Sequence, residues 1–421
     1  MNVATPRTPR RLYAMAALLA MVLGVCACGG GGEGAAPTVA TNGYPHASEP
    51  IGTLREVYDG VLQPDLAVNT FRNMDRLLPT RRVAAGGTAF PLPRAPAPLD
   101  QVNFLSNGST VDLQTYLALN RVAGLLVLKN GRIVNETYRY GNSDRTRWMS
   151  MSVAKSILST LVGAAVKEGA IASIDDPVVK YVPRLAATAF DGVTVRNLLM
   201  MASGARWNEA YSNPSSDRRQ LLDLQIAQRP GAAMDLIARL PREAAPGSRH
   251  NYSGADAHVL GEVLAAATKK PLATYLSDKL WSRYAMEADA NWWLLSPDGM
   301  EYAAGGINAT LRDFGRFGQF ILDDGMIGGE RVLPEGWVAQ AGSPKVLGDG
   351  TAIDYGYLWY MAQGSSRADG AFVAVGINGQ YIYVNRKERV VIVVLGAQPQ
   401  PSGGGQVSTT AFFDAVAAAL R

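Results

Sequence analysis

The chain is 421 residues long, 48% hydrophobic and 18% charged, with a formal net charge of +4. Such a chain builds a real core, as one large domain or two intimate ones. Arg7, Arg10 and Arg11 are the only charged residues among the first 27, so without that segment 4 − 3 leaves +1; a nearly neutral body excludes the electrostatic footprint of a nucleic-acid-binding protein.

The basic stretch "PRTPRR" precedes an apolar run from Leu12 to Val25. That run is short for a bilayer span, and the order is that of an export signal, with an N-terminal membrane helix as the alternative. Both cysteines, Cys26 and Cys28, lie here. The stretch "VCACGGGGEG" resembles the lipobox of bacterial lipoproteins. The resemblance implies a signal peptide over residues 1–27, cleavage before Cys28 and a lipid on its sulfur, hence a membrane-anchored lipoprotein of the periplasm or cell envelope. The mature body then has no other cysteine, so no internal disulfide and no thiolate metal site. Gly29 to about Pro50 is rich in Gly, Ala, Pro and Thr and reads as a flexible tether, the folded body starting near Ile51.

"VAGLLVLKNGRIVNETYRYG" (Val122–Gly141) reads as a β-hairpin, two apolar β-branched runs flanking the type I′ pair Asn130-Gly131. Strand-like runs recur near the C-terminus as "YGYLWYM", "AFVAVGI", "QYIYVN" and "RVVIVVLG", and "STTAFFDAVAAALR" closes the chain as a capped helix. Residues from about 155 to 345 are mostly helical. The spacing therefore predicts an α+β fold. An antiparallel sheet is built from about 51–154 and 346–421 and flanked by helices, with the helical region inserted between.

Within "WMSMSVAKSILSTLVGAAVKEGAI", Ala154, Ile157, Leu158, Leu161, Val162 and Ala165 form one apolar helical stripe. Ser152 sits in the first turn with Lys155 three residues on, neighbours on a helix surface. Ser150 precedes the regular pattern, Ser156 points away and Ser159 lies a turn deeper. A serine hydroxyl needs a base, and a lysine desolvated among apolar side chains can serve as one. The helix N-terminus favours negative charge on the serine oxygen. The plainer alternative is a capping serine with a snorkelling surface lysine.

The block "SMSVAKS" resembles the S-x-x-K motif of serine β-lactamases, penicillin-binding proteins and related esterases. "IDDPVVKYVPRL", "VTVRNLLMMASG" and "PGSRHNYSGADAHVLGEVL" are similar to that family's following stretches. "TFRNMDRLLPTRRV" and "INGQYIYVN" look like the branch of 6-aminohexanoate-dimer (nylon-oligomer) hydrolases. The resemblance covers most of the chain from about residue 51. It implies a β-lactamase/transpeptidase-like fold. It also implies an acyl-enzyme mechanism on a small ester or amide, with no cofactor and no metal. Ser152 is then the nucleophile and Lys155 and Tyr252 share the proton transfers, the general base being left open because their titrations would be coupled. The N–H groups of Ser152 and Ile377 form the oxyanion hole. Tyr211 overhangs the site, and Gly376 and Asn378 are further substrate contacts.

Two departures from the family pattern matter. Tyr252-Ser253-Gly254 stands where the family often has Tyr-x-Asn, so an amide is lost, with Ser253 as a weak substitute. No K-T-G occurs, and Ala374 stands at the lysine position of "AVGI", which points away from efficient β-lactam hydrolysis or transpeptidation. These losses leave open a second class, a binding or sensor protein of the same fold. Trp292, Trp293, Trp359 and Tyr381 are candidates for cleft lining or for core. A Ser-His-Asp hydrolase is disfavoured, since His46, His250 and His258 are the only histidines and no G-x-S-x-G elbow occurs.

Overall fold

The computed structural model describes residues 43–421. The export segment, Cys28 and most of the expected tether lie outside the described residues.

The hairpin at Asn130-Gly131 forms. Strands β1 (Val122–Lys129) and β2 (Arg132–Tyr138) pair antiparallel with Lys129 opposite Arg132. Asn130 and Gly131 have φ of 51° and 73°, the two positive values a type I′ turn needs. From the other chain end come β3 (Tyr360–Met361), β4 (Phe372–Gly376), β5 (Gln380–Asn385) and β6 (Val390–Gly396). The six strands make one sheet in the order β3-β4-β5-β6-β1-β2. The two chain ends meet where Val393 lies opposite Leu126.

Four helices position the site: α1 (Val153–Lys167), α2 (Gly254–Thr268), α3 (Leu311–Leu322) and α4 (Thr409–Ala419). Successive side chains of a strand point to opposite faces. Leu126, Leu128, Val391 and Val393 join the core that contains Ile157, Leu158 and Phe317. Leu125, Val127, Ile392 and Val394 join a second core with Phe412 and Val416 of α4. Because both faces are covered, β1 and β6 read in the sequence as unbroken apolar runs rather than as alternation. The C-terminal helix starts as expected, the Ser408 hydroxyl accepting the Ala411 N–H at 3.2 Å.

Two expectations are corrected, the tether's end and one strand, and two details are added. The tether does not run to Pro50. The Tyr44 hydroxyl donates to the Arg72 carbonyl at 2.6 Å, and His46, 7% exposed, bonds Thr146 at 3.0 Å and Glu49 at 3.0 Å. The mostly helical region 155–345 also supplies strands: Ala290–Trp293 and Ile307–Thr310 join Thr80–Val83 and Arg147–Met149 in a second, four-stranded sheet. Trp292, Trp293 and Trp359 are fully buried core residues, their indole N–H groups at 292 and 293 donating to backbone carbonyls. In "YGYLWYM" only Tyr360–Met361 is strand, since Leu358 has φ of 59°, outside the extended region.

Candidate active site

The nucleophile candidate stands at a sharp turn. Met151 has φ of 42°, and Ser152 follows at the N-cap of α1 with helical φ and ψ of −68° and −6°. Its side chain makes no cap hydrogen bond, so the hydroxyl is not spent on the helix end. Two neighbouring serines are engaged by other segments. Ser150 accepts the Ile307 N–H at 3.1 Å and Ser156 donates to the Leu358 carbonyl at 2.6 Å. Ser159 is fully buried.

Lys155 does not snorkel. It is 2% exposed, and its amine donates to the Ser152 hydroxyl oxygen at 3.0 Å and to the Ala304 carbonyl at 2.8 Å. Burial lowers its pKa to about 8; the Glu209 charge opposes that shift and the Arg218 charge adds to it. A buried amine with two neutral acceptors and no carboxylate bonded to it loses its proton far more readily than a solvated lysine, near pH 8.

Tyr252 enters from the loop before α2, its ring centroid 4.9 Å from the Lys155 amine. Burial, then Tyr211, Tyr360, Tyr355 and Glu209, hold its phenol well above the ordinary tyrosine value, so it stays protonated. Ser253 does not substitute for the missing amide. It caps α2, accepting the Asp256 N–H at 3.0 Å, and is 2% exposed. The vacated position is faced instead by Glu209: a Cβ on Gly254 would lie 3.1 Å from its carboxylate, which accepts the Gly254 N–H at 2.9 Å.

Gly376 ends β4 against the segment before Ser152. A Cβ there would sit 2.6 Å from the Ser150 carbonyl oxygen, a contact no side chain tolerates, so glycine is what lets the strand approach. Ile377, the next residue, lines the cleft with Ser152, Tyr252, Gly376 and Tyr211, a space of about 660 Å3. Neither the Ser152 nor the Ile377 N–H is used in the backbone bonding of the turns around it. Asn378, expected to touch substrate, does not line this cleft. It is 1% exposed, has φ of 60° in the turn to β5, and its amide donates inward to the Gln398 carbonyl at 3.0 Å. Ala374 is buried in the core beneath the strand.

Reading the sequence did not single out the Ala304 carbonyl, Arg218, Tyr58, Tyr302 or Tyr360. Arg218 is 1% exposed, with its guanidinium 4.5 Å from the Tyr58 ring and 5.2 Å from the Tyr302 ring. It donates to the Tyr58 hydroxyl and lines a small hollow behind Ser152 with Tyr58, Tyr211 and Tyr302. "SDRRQLLDL" reads as an ordinary surface helix and carries no signal for this. Glu209 lies two residues before Tyr211, and its contact depends on Gly254 from elsewhere in the chain.

A mixed antiparallel sheet with a helix-mouth serine, a buried lysine and a facing tyrosine defines a serine hydrolase of the β-lactamase and transpeptidase class. Residues 118–416 match the Beta-lactamase family, and the chain belongs to it. It is 30% identical over 348 residues to the 6-aminohexanoate-dimer hydrolase of Paenarthrobacter ureafaciens, an alignment covering 79% of this chain and 85% of that protein. A Bacillus anthracis structure, provisionally assigned as a 6-aminohexanoate-dimer hydrolase, superposes with TM-score 0.72 at 24% identity, covering 83% of this chain and 91% of its own. The penicillin-binding protein of Bacillus halodurans superposes with TM-score 0.55 at 18% identity, covering 73% and 98%. These two likenesses show the fold.

Proposed function

We propose that the chain is an exported, lipid-anchored hydrolase that cleaves a small linear amide or carboxylester through an acyl-enzyme on Ser152. The observation that carries the reading is the 3.0 Å contact between the buried Lys155 amine and the Ser152 hydroxyl at the mouth of an open cleft. The neutral amine takes the serine proton as the oxygen attacks the carbonyl carbon. The N–H groups of Ser152 and Ile377 hold the oxyanion. Tyr252, protonated by its surroundings, gives its proton to the leaving oxygen or nitrogen as the C–O or C–N bond breaks. It recovers one from the lysine ammonium. Water then attacks the acyl carbon, losing its proton to the same base and releasing the acid and free Ser152. The relative named for 6-aminohexanoate dimer favours linear amides as substrates. With Ala374 at the strand position and its side chain in the core, no cation at that point holds a β-lactam carboxylate.

The test is Ser152→Ala assayed on p-nitrophenyl acetate and on linear N-alkylacetamides. Turnover falls by about 10⁴-fold or more, and a fluorophosphonate probe labels Ser152 in the wild type alone. Undiminished turnover, or labelling elsewhere, defeats the assignment. Export and lipidation are read from "VCACGGGGEG"; mass spectrometry of the mature N-terminus finds a diacylglyceryl group on Cys28, and an unmodified N-terminus ahead of Cys28 contradicts it.

A further inference from the structure

A second chamber, about 810 Å3, adjoins the cleft, and the steps above make no use of it. The two spaces share Tyr360, Val375, Tyr381, Gln398 and Gly403 as common walls. The floor of the chamber is the outer face of β4 and β5, where Val373 lies opposite Tyr383 and Val375 opposite Tyr381. Helix α4 closes the far side with Thr410 and Phe413. An aromatic wall runs between the two spaces. The Tyr252 ring stacks 6.0 Å from Tyr360, which meets Tyr355 edge-on at 4.8 Å.

The lining holds no free charge. Asp354 gives both carboxylate oxygens to Arg367, at 2.8 and 2.6 Å. His250 bonds the Met200 carbonyl through Nδ1 at 2.9 Å, and burial lowers its pKa, so it is neutral at physiological pH. The remaining walls are aromatic, aliphatic, hydroxyl, amide or backbone. A charged tail would be desolvated there without a partner, whereas an uncharged chain gains apolar burial and finds hydroxyls for any internal amide.

The direction follows from the proton. Tyr252 protonates the leaving group, so that half of the substrate lies on the Tyr252 side, where Tyr360 is the shared wall. We infer that the chamber holds the leaving-group arm of the substrate, a long, linear, uncharged alcohol or amine chain running from the scissile bond past Tyr360 to Phe413. This rests on the hydrolase reading above and narrows its substrate class: amides and esters with an extended leaving group and a short acyl group.

The experiment uses acetate esters of linear alcohols from ethanol to dodecanol, with ethyl esters of linear acids over the same lengths as the control. In the alcohol series kcat/KM rises by about fourfold per methylene until the chamber is filled. The acyl series shows no such rise. Val373→Trp and, separately, Thr410→Phe fill the chamber, flatten the alcohol series and leave ethyl acetate turnover unchanged. No rise with alcohol length, or a rise that survives both substitutions, overturns the inference. Calorimetry reads binding without turnover: the Ser152→Ala chain binds N-decylacetamide, and the added Val373→Trp abolishes that binding. Ethyl acetate cleavage with no length preference removes the chamber and leaves the hydrolase. Binding of N-decylacetamide by a wild-type chain that cleaves none of the esters removes the hydrolase and leaves the chamber.

Discussion

The helix mouth around Lys155 and the aromatic slot around Arg218 bury their cations equally, at 2% and 1% exposure, and treat the charge in opposite ways. Lys155 meets a hydroxyl and a carbonyl, groups that serve a neutral amine as well as an ammonium. Desolvation therefore wins and the proton becomes removable near pH 8. Arg218 lies between the faces of Tyr58 and Tyr302, and its guanidinium cannot give up a proton in a protein. Ring quadrupoles hold a charge that has nowhere else to go. The difference teaches that burial alone does not make a base: the same desolvation gives a proton acceptor or a fixed field, depending on which cation is buried and what faces it.

The most severe way to break the comparison is to exchange the chemistry at the helix mouth. Lys155→Met and Lys155→Arg both lower the acylation rate by about 10³-fold or more in stopped-flow assays, the arginine variant because it keeps a charge but accepts no proton. Wild-type acylation in either removes the lysine from the mechanism. Tyr252→Phe separates the proposed proton donor from the proposed base. Amide turnover falls by about 10²- to 10⁴-fold, while p-nitrophenyl acetate, whose phenolate departs without a proton, loses less than tenfold. Equal losses on both substrates mean that the phenol does more than protonate. Gly376→Ala forces a methyl onto the Ser150 carbonyl and shifts Ile377; kcat falls by about 10²-fold, the scale of one lost oxyanion donor, with little change in circular dichroism.

The smallest effect sharpens the contrast itself. In the proposed mechanism the working form is the neutral amine, so kcat/KM rises with pH and levels off above about 8. Arg218 pushes the Lys155 pKa down, so Arg218→Met moves that rising limb to higher pH, whereas Arg218→Lys, which keeps a charge, moves it less. A limb that stays in place shows that the slot does not act on Lys155. The Glu209 charge raises the Lys155 pKa, so Glu209→Gln shifts the limb the other way.

The hairpin, the C-terminal strands and the final helix were legible because each is a local matter: a positive-φ pair between apolar runs, or a hydroxyl three residues before an N–H. Ser152 and Lys155 were legible because one helical turn relates them. The Ala304 carbonyl was not, since a main-chain acceptor has no residue type to announce it. The Trp292 and Trp293 strand was missed for a related reason: two adjacent tryptophans point to opposite faces, and only a sheet covered on both sides buries both. Asn378 shows the converse error, a polar side chain placed in the cleft by resemblance that the turn at φ of 60° directs into the protein.

By itself the sequence determined the strands, the helix mouth and the pairing of a hydroxyl with an amine, because those depend on contacts within a few residues along the chain. Which cation would be titratable, which carboxylate would fill the place of the absent amide, and where a second chamber would open were decided only by the tertiary structure. Electrostatics and cavity shape depend on what distant segments bring within a few ångströms, and no stretch of the chain carries that information alone.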